Sequence, residues 1–169
     1  MIALTAVALA AGVQAANVNW KVSDMSDYQS KLVYSFNVSD QTAVLAALTA
    51  GGEKLATVES LNLGSATSTT GNRANASGAA NGVTGDNLFW VIFDSTVADG
   101  KTYAYTTGQD ISAYKFEEGQ QTPGSFVLSI KEGANIAAVG QPIGAVPEPT
   151  SGLLLLLGVA GLALRRRRA

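Results

Sequence analysis

Three carboxylate pairs, Asp24 with Asp27, Asp94 with Asp99, and Glu117 with Glu118, are the side chains in this sequence whose type and spacing could move protons. Histidine and cysteine are both absent. Carboxylate, lysine and tyrosine are therefore the acid–base groups that remain, and cysteine nucleophiles, Ser-His-Asp arrangements and nearly all zinc, copper and haem sites are excluded. Glycoside hydrolysis is a reaction that two carboxylates can run between them, at a separation of roughly 5 Å or roughly 6.5–9.5 Å. All three pairs nevertheless fall in turn-like or polar stretches, where a solvated surface position is the ordinary reading. No residue is assigned as catalytic, as a cofactor ligand or as a metal ligand.

Calcium would also accept hard oxygen ligands, and Asp94-Ser95-Thr96-Val97-Ala98-Asp99-Gly100 superficially suggests an acidic loop. It lacks the alternating Asp or Asn ligands and the trailing bidentate Glu of a calcium loop. Trp20, Trp90, Tyr103, Tyr105 and Tyr114 could build a sugar-stacking platform, but aromatic residues in strands are more often core or cross-strand partners. A small secreted carbohydrate-binding or carbohydrate-active domain stays open as the alternative to a non-enzymatic body. The two are separated by whether two carboxylates face one another across a concave groove lined by Trp or Tyr.

The elements that must position these residues are mostly strands. Residues 17–22 alternate polar and apolar, and Leu32, Tyr34, Phe36 and Val38 share one face of a second strand. Ser39 can cap a helix over residues 40–50, with Val44, Leu45 and Leu48 as its apolar stripe and Gly51-Gly52 as its stop. This is the one soluble helix the pattern supports. Residues 54–63 read as a weakly patterned strand with Leu55, Thr57, Glu59 and Leu61 on one side. Residues 64–87 (GSATSTTGNRANASGAANGVTGDN) are almost wholly Gly, Ala, Ser, Thr and Asn. Such a stretch buries too little surface to offset its ordering entropy, which predicts a long exposed loop. The apolar run at 88–93 reads as the central strand. Residues 101–107, 111–116 and 125–131, with a late strand around 136–139, complete a mainly β domain, a small single-domain β-sandwich or rolled sheet with one short α-helix.

The net charge of −2 conceals a segregation: residues 16–145 carry 7 basic and 12 acidic side chains, and the tail contributes Glu148 and four arginines. The basic residues of the body, Lys21, Lys31, Lys54, Arg73, Lys101, Lys115 and Lys131, are scattered, so nucleic acid is excluded as a partner for want of a phosphate-binding cluster. Residues 1–15 (MIALTAVALAAGVQA) are an unbroken small-apolar stretch ending in Val13-Gln14-Ala15, which fits an N-terminal signal helix, a secretory signal peptide cut after Ala15,. No Lys or Arg precedes its apolar core, which leaves room for a start upstream of Met1. Cleavage there leaves residues 16–145 as one exported domain, enough chain for a single core that must hold without disulfides.

Val146-Pro147-Glu148-Pro149-Thr150 leads into an apolar run at 151–164 (SGLLLLLGVAGLAL) and then Arg165, Arg166, Arg167 and Arg168. A segment apolar all round belongs in a bilayer or inside protein, and the arginines argue against the interior. At about 1.5 Å per residue these 14 residues reach only about 21 Å of a roughly 30 Å hydrocarbon core, so a transmembrane helix here needs arginine snorkelling or local thinning. Basic residues beside a span stay in the cytoplasm, which makes the four arginines a cytoplasmic stop and puts the body outside. Pro147 and Pro149 keep the residues before them extended and accessible to a protease.

Triplet, hydrophobic helix and terminal arginines, in this order over residues 146–169, resemble the PEP-CTERM sorting signal of Gram-negative bacteria. The resemblance implies processing by an exosortase, a multispanning membrane peptidase that cleaves near the motif, with this chain as its substrate; it covers nothing before the tail. The resulting expectation is a non-catalytic exported protein. It would pass through the secretion machinery, be held transiently in the inner membrane, and reach the cell surface or the extracellular matrix of a biofilm. There it would have a structural or adhesive role, with exopolysaccharide as a partner.

Overall fold

A computed structural model describes residues 15–94, 102–117, 119–121 and 123–144. The expected signal helix and the hydrophobic helix at 151–164 lie outside the described residues, as do Asp99 and Glu118. Among the described residues, nine strands and two α-helices follow in the order β1 (Ala16–Ser23), β2 (Leu32–Asn37), α1 (Gln41–Ala50), α2 (Leu55–Leu61), β3 (Gly64–Thr67), β4 (Ala76–Val83), β5 (Asn87–Phe93), β6 (Thr102–Thr106), β7 (Gln109–Asp110), β8 (Phe126–Ser129) and β9 (Ile136–Pro142). They form two sheets. In the smaller, β1 is central, antiparallel to β4 and parallel to β8. The larger runs β3-β2-β5-β6-β9, with β7 on the first residues of β5, and all its pairings are antiparallel.

The apolar run at 88–93 is the central strand, and its lack of alternation has a cause: both faces of the large sheet are covered. On one side Leu88, Trp90 and Ile92 share a core with Val18, Trp20 and Val22 of β1, Ala76, Ala80 and Val83 of β4, and Leu128 of β8. On the other, Phe89, Val91 and Phe93 join Tyr34 and Phe36 of β2, Val44 and Leu48 of α1, and Val58 of α2. The result is three layers, sheet on sheet on helices, rather than a bare sandwich with one helix. Phe36, Phe89 and Phe93 are fully buried, each contributing about 1.5–3 kcal/mol.

Residues 64–87 are not a long exposed loop. They hold β3 and β4, and Ala74, Ala76, Ala80 and Val83 are fully buried. Small size is what permits this. A Cβ on Gly64 would stand 1.8 Å from the Ala79 carbonyl oxygen, and one on Gly78 would stand 2.8 Å from the Trp20 ring. The chain leaves the large sheet at β3 and enters the small one at β4 with its backbone in contact with itself, while Trp20 fills the room above Gly78. Pairing with β1 satisfies the backbone amides of β4,. The connection is pinned by Ser68, a buried side chain whose hydroxyl donates to the Tyr28 carbonyl and accepts from the Lys31 N–H.

Residues 54–63 are likewise not a strand. A 3-10 turn, Gly52–Lys54, leads into α2, where Leu55, Val58 and Leu61 recur at helical spacing and pack on the phenylalanine side of the sheet,. The Tyr34 hydroxyl donates to the Glu59 carboxylate, 3.0 and 3.1 Å from its two oxygens, and ties α2 to β2. Ser39 does not cap α1: it lies in the 3-10 turn Val38–Asp40, and Asp40 holds the N-cap position without a side-chain bond. Nor is there a strand at 111–116, where a 3-10 turn, Ser112–Tyr114, precedes a single bridge between Phe116 and Asn17.

Candidate functional site

The carboxylates that sequence spacing pairs are drawn to different partners. Asp24 follows β1 with a φ of 60°, and its carboxylate accepts from the Ser129 and Ser23 hydroxyls. The bond from Ser129 first, and that from Ser23 second, hold its pKa below the usual carboxylate range,. Asp27 lies in the 3-10 turn Ser26–Tyr28 and lines a separate surface. Asp94 accepts from Lys31 Nζ at 2.6 Å in a partly exposed ion pair, a class worth about 0–1 kcal/mol. Glu117 is half-buried, and its expected partner lies outside the described residues. No group of three or more potential metal ligands occurs among the described residues.

Asp27 and Asp94, which sequence spacing does not pair, line one shallow cleft of about 100 Å³ together with Tyr28, Lys31, Thr102 and Tyr103. The cleft lies at one end of the large sheet, where Leu32 pairs with Phe93, Phe93 with Tyr103, and Thr102 with Pro142. Burial, and then the charge of Asp27, raises the Tyr28 pKa; burial raises that of Tyr103 against an opposing hydrogen bond from Thr49. Both phenols therefore stay neutral around pH 7, able to donate and accept. With Asp94 engaged by Lys31, the cleft offers hydrogen-bonding groups to a polar ligand. Tyr28, Lys31 and Thr102 escape sequence reasoning because three separate stretches assemble here, and no local spacing groups them.

The aromatic residues divide between the two cores. Trp20 and Trp90 are 1% and 0% exposed and meet edge to face at 6.0 Å between ring centres. Neither indole N–H has a hydrogen-bond partner among the described residues. Trp90 stacks on Phe126 at 5.6 Å, and Tyr114 stands edge-on to Phe126. Tyr103 and Tyr105 share the helical face, 6.3 Å apart. These rings are packing, not a sugar platform; Tyr103 is the one residue of the five that borders the cleft, and its ring lies on the helical face.

The last described residues, 143 and 144, are tied back onto α1. After β9, Ile143 is buried, and the Gly144 N–H donates to the Leu48 carbonyl of α1 at 2.9 Å. Gly51, which ends α1 with a φ of 64°, stands against Gly144, whose φ is 67°; a Cβ on Gly51 would lie 2.5 Å from the Gly144 Cα. Both backbones need the left-handed conformation that glycine adopts freely. Directly beyond this clamp, the family model for the PEP-CTERM protein-sorting motif matches residues 145–168.

The tail is a PEP-CTERM sorting signal. The match takes in Pro147, Glu148 and Pro149, the apolar run at 151–164, and Arg165, Arg166, Arg167 and Arg168. PEP-CTERM signals are processed by exosortase, so the chain is an exosortase-sorted exported protein whose precursor is membrane-anchored before sorting. The PEP-CTERM match covers only the tail, and the body has no family match. Neither a curated protein nor a solved structure matches the chain. No helix among the described residues is long and apolar enough to cross a membrane, and the apolar run of the tail lies outside them.

Proposed function

We propose that the exported body is a non-catalytic structural or adhesive module, delivered to the cell surface or extracellular matrix by a signal peptide at residues 1–15 and the PEP-CTERM tail. The observation that carries this reading is the sorting motif at 145–168 beginning directly after a folded body. In support, Ala15 is exposed and Ala16 opens β1, so a cut after Ala15 spares every residue of that strand. The run at 151–164 then serves as a temporary inner-membrane anchor, with the four arginines as its cytoplasmic stop. The engagement of Asp24 by two serines and of Asp94 by a lysine suits a body that binds rather than reacts.

Replacing Pro147, Glu148 and Pro149 together with alanine is expected to leave a full-length, membrane-retained precursor. An unchanged surface fraction with an unchanged intact mass would overturn the reading. The intact mass of the unaltered protein also locates the cut at Ala15.

The cleft favours one second reading, a carbohydrate-binding domain, because the Tyr28 phenol and two carboxylates can together stack on and hydrogen-bond a sugar,. Retention of the protein, but not of a Tyr28→Ala/Asp27→Ala variant, on exopolysaccharide would support it. Equal retention of the two would remove it.

A further inference from the structure

The clamp at Gly144 fixes where the tail leaves the body, and the number of intervening residues fixes how far the body can stand from the membrane. Only residues 145–150 separate Gly144 from the apolar run at 151–164. Seven fully extended steps reach at most about 25 Å. Crossing the headgroup layer uses about 5–7 Å of this. The remaining reach, under about 20 Å, is short beside a folded body of this size, which is roughly 35 Å across.

The two ends of the large sheet are unequally placed with respect to that short tether. At the clamped end, Thr102 pairs with Pro142, and Gly51, which leads into the Gly52–Lys54 turn, stands against Gly144. The opposite end is marked by Asn37 against Leu88 and Asn87 against Asp110, with Asp86 just beyond. β5 crosses from one end to the other in six residue steps, about 20 Å,. To turn the Asp86 end to the membrane, the tail would have to run back from Gly144, two residues beyond Pro142, to past Asp86, which takes more than the about 20 Å of β5 and so more than the reach that remains,.

We infer that in the anchored precursor the clamped end of the body, which carries the Gly52–Lys54 turn and the Lys31–Asp94 cleft, is kept within about 20 Å of the lipid headgroups, and that the Asp86 end points away. The inference rests on reading 151–164 as a membrane anchor. Among the described residues, Lys31 and Lys54 are balanced at this end by Asp27, Glu53 and Asp94, so tether length rather than attraction to anionic lipid is the cause proposed for the orientation. Cutting near Pro147 releases this face, and the cleft becomes reachable by an extracellular polymer at the moment of processing.

The chain contains no cysteine, so one introduced thiol labels one site. Glu53 and Asp86 are both exposed. With the signal-cleaved chain, residues 16–169, in phosphatidylcholine vesicles, a fluorophore on Glu53→Cys is expected to be quenched several-fold more by a headgroup-attached quencher than one on Asp86→Cys. Inserting a Gly/Ser spacer of about 20 residues after Gly144 should abolish the difference, because its coil adds a reach comparable to the body itself. Equal quenching at both sites in the vesicle-bound chain would overturn the orientation alone. A difference that survives the spacer would overturn the tether as its cause. A chain that does not float with the vesicles would overturn the anchor and the orientation with it.

Discussion

β4 and β5 are close neighbours in sequence and carry buried residues in the same core, yet they are made of opposite materials. β5 enters two cores because it carries large side chains: leucine, three aromatic rings, valine and isoleucine. β4 is alanine, serine, glycine, asparagine and one valine, and it fits because it carries so little. Its neighbour β1 brings Trp20 over Gly78, while Gly64 of β3 meets the backbone at Ala79. Interiors are filled to a nearly constant density, so a strand of small residues can be as much a part of the core as one of large residues, provided that its neighbours supply the volume.

The largest way to break this comparison is to empty the large strand. Trp90→Ala is expected to cost about 3–5 kcal/mol in urea unfolding, losing the stack on Phe126 and the edge contact with Trp20,. A loss below about 1 kcal/mol would mean that the sheets dock without the ring. Filling the small-residue side is the next test. Gly64→Val should cost about 1–3 kcal/mol or more, because the new Cβ meets a carbonyl held in the β4 backbone,. If Gly64→Val leaves the unfolding midpoint unchanged, β3 and β4 do not cross as tightly as their spacing implies.

A smaller effect sharpens the contrast through pH. Tyr34, on β2 beside β5 and 5.1 Å from the Phe93 ring, has its pKa pushed up to about 12 by burial and then by Glu59. The fold therefore prefers the neutral phenol. Its contribution is intact below the ordinary value of 10.0 and is lost as pH rises from there through about 12,. Tyr34→Phe should make the alkaline fall in stability shallower across that window, measured by circular dichroism, whereas an unchanged profile would place the alkaline weakness elsewhere. The smallest effect belongs to the exposed side of β4. Ser77→Val should shift stability by no more than about 0.5 kcal/mol,, and a loss rivalling that of Gly64→Val would show that this side is covered.

Why sequence reading succeeds at β5 and fails at β4 follows from what each signal counts. The 88–93 run, the alternation of Leu32, Tyr34 and Phe36, and that of Phe126, Leu128 and Ile130 are local side-chain patterns, and all three stretches carry strands. The entropy argument that makes 64–87 a loop weighs side chains and leaves out backbone pairing with a strand distant in sequence, which is what orders Ala76–Val83. In α2, Leu55 and Leu61 fit both an alternating and a helical count, and Val58 decides the matter only once the phenylalanine layer exists for it to meet. The cleft and the Gly51–Gly144 clamp join residues from remote stretches, so neither leaves a trace in spacing. The sorting tail is legible for the opposite reason: its triplet, apolar run and arginines are contiguous, and their meaning depends on membrane thickness and charge rather than on partners in the fold.

Trp20 and Trp90 are the only tryptophans in the chain, one from each sheet, with ring centres 6.0 Å apart. Indoles that close couple their excited states, so their ultraviolet dichroism and emission change together when the two sheets part. The body thus carries its own optical gauge, placed where the layers meet. Folding of the body and any loosening between its sheets can each be followed by its light, with no dye attached.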